Sequence, residues 1–145
     1  MDRNEFEHIR DLHGKRIDVD IRFEQNTSIS AVQTFKNVPI WNEPGHPLFI
    51  NGLYNPKHKT VVYNIRVDGL GPICRVCVNG VEHGNAGRTH KHSFVTEECA
   101  RTDNLGSDVV VQNDLEGKTA REVFRDFCAR AHIKHAGTFY DPQDM

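Results

Sequence analysis

Hydrophobic and polar residues alternate along 16–23, where Ile17, Val19, Ile21 and Phe23 are interleaved with Arg16, Asp18, Asp20 and Arg22. A period of two marks a strand with one buried face, so this segment predicts a strand. As an edge, it is a candidate for pairing across a dimer. A weaker strand is expected over 29–35. Pro39, Pro44, Gly45 and Pro47 then interrupt the chain, predicting short strands at 38–41 and 48–54 around an irregular loop. In the centre, residues 60–68 and 73–79 flank Gly69-Leu70-Gly71-Pro72 and read as a hairpin with a four-residue turn. If Asp68 faces Ile73, the pairs Ile65–Val76, Val67–Cys74 and Tyr63–Val78 make an apolar core face. The opposite face then pairs Arg66 with Arg75 and Asn64 with Cys77, with Asn79 beside Val62. Further strands are expected over 90–96 and 109–111.

Near the C-terminus the period becomes helical. Ala120, Val123, Phe124, Phe127, Cys128 and Ala131 form one stripe, with Arg121, Glu122, Arg125 and Arg130 off it. Thr119 followed by Glu122 is a capping-box signature, so a helix over 119–133 is expected to cover the open face of the sheet. A short helix over 2–13 would turn Phe6 and Ile9 inward. The fold class is therefore α+β: a mostly antiparallel β-sheet packed on one face by a C-terminal helix, with a short N-terminal helix.

A length of 145 residues fits a single domain over 1–145. A composition 37% hydrophobic and 26% charged argues against a disordered tail. No apolar run approaches the roughly 18 residues that span a bilayer, and the polar start is unlike a signal peptide, so a cytoplasmic, non-membrane protein is expected. Eighteen basic against twenty acidic residues leave a net charge of −2, so nucleic-acid binding would need a local patch. The cysteines Cys74, Cys77, Cys99 and Cys128 read as reduced thiols. Cys128 lies in the helical stripe. On an alternating strand Cys74 faces the core and Cys77 the surface.

Histidine is the outlier, with nine in the chain. His8, His13, His58, His132 and His135 are expected to be surface residues. His83, His90 and His92 instead cluster between Asn79 and Phe94, with Arg88 and Lys91 among them. His90 and His92 are two apart on an expected strand and so share a face, as a pair of metal ligands or a general acid and base must. Gly80, Gly84 and Gly87 let the preceding loop fold tightly enough to return His83 over that strand. The expected opposition of Arg66 and Arg75 is unfavourable unless Asp68 or another carboxylate neutralises them or an anion sits between them, and guanidinium forks bind phosphate bidentately.

Three chemistries compete for this patch. The first is a divalent metal on His90, His92 and either Glu97 or His83. Gly84, His90, His92 and Glu97 are spaced like the first metal motif of the cupins, although no Pro-x-Gly segment of the second motif follows. The second is zinc on Cys74, Cys77 and a histidine, which an alternating strand opposes by turning the two thiols to opposite faces. The third needs no cofactor. Two imidazoles act as acid and base on an RNA phosphodiester, and cations stabilise the phosphorane.

Asn79-Gly80, His83 and Thr89-His90-Lys91-His92 resemble the signature of small bacterial toxins of the TumE-like type. There an Asn and a His precede a Pro-His-His-Lys-His strand, and here Arg88 and Thr89 stand in place of the Pro and first His. The resemblance implies a toxin-like protein of a bacterial or phage mobile element, acting on RNA and paired with a helix-turn-helix antitoxin. It implies functional positions at Asn79, His83, His90, Lys91 and His92. Together these readings make His83, His90 and His92 the candidate catalytic residues. Arg66, Arg75, Asn79, Arg88 and Lys91 are the candidate phosphate ligands. The rival is a non-enzymatic module that binds protein or nucleic acid through the same face.

Overall fold

The computed structural model describes residues 3–25, 31–79, 90–92, 109–111 and 115–144, the segments 90–92 and 109–111 by their backbone course. Its centre is three eight-residue strands, β5 (Leu48–Asn55), β6 (Thr60–Val67) and β7 (Gly71–Val78). Alternation fixes their inner face: Leu48, Ile50 and Tyr54, then Val61, Tyr63, Ile65 and Val67, then Cys74, Val76 and Val78 are all buried in one core. Before them come β3 (Glu24–Gln25) and β4 (Gln33–Ile40), and after them β8 (His90–His92) and β9 (Val109–Val111), with every neighbouring pair antiparallel. The seven strands form one sheet in chain order.

Two strand expectations change in detail. Residues 33–35 and 38–40 of the two expected strands belong to one strand, β4, because a bulge between Phe35 and Val38 with Asn37 at φ +56° carries the ladder past the interruption, while residues 29 and 30 lie outside the described residues. The segment 16–23 is instead divided among β1 (Lys15–Ile17), β2 (Ile21–Arg22) and the residues leading into β3. Ile17, Ile21 and Phe23 are buried as the alternation requires, whereas Val19 is 44% exposed. The break arises because β1 and β2 pair in parallel with two separate C-terminal strands, β10 (Ile133–His135) and β11 (Phe139–Tyr140). Alternation dictates which side chains turn inward, but not how far one ladder runs. These pairings occupy one edge of the segment expected to be open to a second copy.

Two helices close the core. In α1 (Arg3–Asp11), Phe6 and Ile9 are fully buried. Buried Lys15 donates from Nζ to the carbonyls of Ile9 and Arg10 at 3.1 and 2.9 Å, so it closes the helix C-terminus. Burial lowers the pKa of Lys15 and pushes the Cys74 thiol up to about 12. In α2 (Ala120–Arg130), every member of the expected stripe is buried, from Ala120 to Cys128 and on to Ala131. Both capping-box bonds between Thr119 and Glu122 are formed. Tyr63 donates its hydroxyl to the Ala120 carbonyl at 2.7 Å and meets Phe124 edge-on, which ties α2 to β6. Among the described residues, no helix is long and apolar enough to cross a membrane.

The C-terminal ends of the two helices meet through His13 and His132, whose rings stack at 3.9 Å. Burial first, then the nearby charges of His13 and Lys15, hold His132 below its usual value of 6.5, with Asp11 opposing. An unfolded chain takes up this proton before the folded one. The contribution of His132 to stability is therefore full above pH 6.5 and is lost as the pH falls through its depressed folded value. Thermal melts at about pH 7.5 and 5.5 should show a larger loss for the wild type than for His132→Asn, since asparagine tolerates the residue's positive φ. Equal losses would show that this stack does not set the acid sensitivity.

Candidate functional site

The face of the sheet away from the core carries the polar chemistry. Strand register assembles it in rows. Asn51, Asn64, Arg75 and His92 occupy consecutive positions across β5, β6, β7 and β8, and the adjacent row runs Leu53, Val62, Cys77, His90. Arg66 pairs with Phe49 on one side and Pro72 on the other. No outward position of β5, β6 or β7 carries a carboxylate, so the charge contributed by these strands comes from Arg66 and Arg75 alone. The part of the face built by these three strands is thus locally positive in a chain whose net charge is −2, while Glu24 of β3 stands at the far end of the His90 row.

Arg75 is the centre of the site. Its Nη2 donates to the Cys77 sulfur at 3.2 Å, while its Nε is buried without a hydrogen-bond partner. Directly across the ladder, Asn64 Oδ1 is also buried and unpartnered. A buried donor and a buried acceptor on facing positions, neither satisfied, are costly, at about 1–3 kcal/mol each. Asn51 is anchored instead, its Oδ1 accepting the Asn37 N–H at 2.7 Å.

The structure changes the expected hairpin by two residues. Tyr63 pairs with Val76 and Ile65 with Cys74, so Arg75 faces Asn64 rather than Arg66. The turn is shorter than expected: Leu70 N–H returns to the Val67 carbonyl at 3.0 Å, and Gly69 supplies the φ of +75° that this tight reversal requires. Gly71 and Pro72 join the strand, and the bulge at Ile73 absorbs the mismatch. A shift of two leaves every side chain on its expected face, so both arginines remain on the outer side. The argument from direct opposition of like charges no longer applies.

Cys77 departs from expectation in another way. It faces away from the core yet is only 3% exposed, so it is not a surface thiol. Cys74 is buried on the other face, and the two thiols do not converge on one ion. Among the described residues, no three His, Cys, Asp or Glu side chains group as a metal site. Asn79 follows β7 at φ +54°, accepts the Thr60 hydroxyl on its carbonyl at 2.7 Å, and donates from its amide to the Lys59 carbonyl. That geometry ties Asn79 to the β5–β6 turn. Lys91 takes the register position across from Val76, between the two histidine positions. His83, Arg88 and Glu97 lie outside the described residues.

Asn51 was missed in the sequence, although the alternation of Phe49, Asn51, Leu53 and Asn55 against a buried set marks an outward polar position. In comparisons with known proteins, no family model, no curated protein and no solved structure matches the chain.

Proposed function

We propose that this face binds RNA and cleaves its backbone by acid–base catalysis, without a metal, as a toxin-like ribonuclease. One observation carries the reading. Arg75 stands between Asn64 and the His92 position, in a row free of carboxylates, with a buried Nε that has no partner. Both atoms are covered, so RNA reaches them only when the covering side chains shift; a phosphodiester oxygen on the guanidinium and a ribose hydroxyl on Asn64 Oδ1 then satisfy the pair.

In the reaction, one imidazole of the His90/His92 pair removes the proton from the 2′-hydroxyl, whose oxygen attacks the adjacent phosphorus. The other imidazole gives a proton to the departing 5′-oxygen. The P–O5′ bond breaks as the P–O2′ bond forms, leaving a cyclic phosphate and a free 5′-hydroxyl. Arg75 and Arg66 stabilise the charge on the phosphorane, with Arg88 and Lys91 as further cations and His83 orienting the pair. A helix-turn-helix antitoxin is the matching partner.

Incubation with an end-labelled RNA and the same sequence as DNA, both in chelator, tests this directly. RNA cut to fragments ending in cyclic phosphate, with the DNA intact, is the expected result. Equal cutting of both strands contradicts the mechanism, since DNA lacks the attacking hydroxyl. RNA that is bound but never cut makes the face a binding module.

A further inference from the structure

A cleft of about 520 Å3 lies between α2 and the chain from β10 to β11. Phe124, Cys128 and Phe139 form its buried floor, and Arg121, Arg125 and His135 line its rim. Its size, with an apolar floor and a few convergent polar groups, is that of a small-molecule site. No Asp or Glu lines it.

The carboxylates near it in the chain are engaged elsewhere. Glu122 closes the capping box, Asp126 pairs with Arg130 at 2.9 Å, and Asp20 accepts the Thr138 N–H at 2.8 Å. Asp141 accepts from the backbone N–H groups of Arg121 and Gln143. Arg121 is held in place by the Phe139 carbonyl at 3.0 Å. Arg125 is exposed and makes no hydrogen bond or ion pair among the described residues, although its charge acts on Glu122. A second cleft of about 530 Å3 has no such imbalance, because Asp20 and Glu24 there offset Arg22 and Lys36.

The rim is also rigid. Ala136 N–H bonds to the Ile17 carbonyl, Ile21 N–H to the Thr138 carbonyl, and His135 Nε2 to the Val19 carbonyl, all at 2.8–2.9 Å. Gly137 passes so close to this neighbour that a Cβ would sit 2.5 Å from the Val19 oxygen. This wall of the cleft is therefore preorganised, and the ordering entropy lost when an anion enters is mainly that of the Arg125 side chain.

We propose that this cleft binds a phosphate monoester, with Arg125 as its principal ligand and Arg121 and His135 flanking it. The site is separate from the sheet face, since none of its lining residues belongs to β3–β9. The same chemistry is found in a free sugar phosphate and in the 5′-phosphorylated end of a nucleic acid.

Amide chemical shifts of the full chain, titrated with ribose 5-phosphate, test the proposal. Parallel titrations use a short DNA strand bearing a 5′-phosphate or a 5′-hydroxyl, which cannot undergo the cleavage above. Saturable shifts confined to 121–129 and 134–139 are expected, with Arg125→Gln weakening the affinity about tenfold or more at an unchanged melting temperature. A gain for the phosphorylated strand over ribose 5-phosphate assigns a nucleic-acid end, and no gain assigns a metabolite. No saturable shift with either phosphate, equal binding of the hydroxyl strand, or an unchanged affinity in Arg125→Gln overturns the proposal.

Discussion

Phe124→Ala should cost about 3–5 kcal/mol of folding stability, a large part of the 5–15 kcal/mol typical of a whole domain. The residue is 2% exposed and joins three elements. Its ring stacks on Phe139 at 4.7 Å and meets Tyr63 and His135 edge-on, both at 5.4 Å. Truncation therefore leaves a cavity bounded by α2, β6 and the C-terminal strands, which cannot all collapse into it. A fall in melting temperature of roughly 10–20 °C is expected by calorimetry. A loss below about 1 kcal/mol would mean that α2 does not pack on the sheet through this residue.

Gly52→Ala should also be destabilising, for the opposite reason. Gly52 lies in β5 opposite Phe35, whose ring covers it. An added Cβ would come within 2.6 Å of Phe35 Cζ and overlap the rest of that ring edge. The ring has little room to withdraw, since it meets Phe23 edge-on at 5.0 Å and lies against Tyr63 at 6.1 Å. Overpacking of this kind costs about 1–3 kcal/mol, read as a lower denaturation midpoint at constant slope. Adding Phe35→Leu should recover part of the loss, because the two sites share one space. Additive losses in the double variant would show that the two residues are not in conflict.

Much of the fold is legible in the sequence because burial leaves a period. The stripe from Ala120 to Ala131, its Thr119 cap, and the inward faces of β5, β6 and β7 all follow from spacing. What spacing does not carry is pairing. Nothing in the alternation of Ile17, Val19, Ile21 and Phe23 says that the chain bends at Val19 to meet two C-terminal strands in parallel. Those partners are more than a hundred residues away in the chain. The hairpin register failed for a local reason: Gly69 with a positive φ and the bulge at Ile73 moved Arg75 from Arg66 to Asn64.

The candidate site was legible to a similar depth. Parity kept Arg66 and Arg75 on the outer face, and the ladder brings the His90 and His92 positions beside Cys77 and Arg75. The covered state of Cys77 and the unpartnered atoms of Arg75 and Asn64 are three-dimensional facts with no sequence signature. Arg125 was equally invisible as a ligand. Its solvated position off the helical stripe looks like that of any surface arginine until the lining of the cleft beside it is known.

The most direct test of the sheet-face site is the rate of RNA cleavage by the wild type beside His92→Ala, the two matched for melting behaviour. The site predicts metal-independent cleavage by the wild type and a rate lower by about 100- to 10,000-fold in the variant, the usual contribution of a positioned acid or base. RNA left intact by the wild type, or cut at the same rate by both proteins, would contradict it.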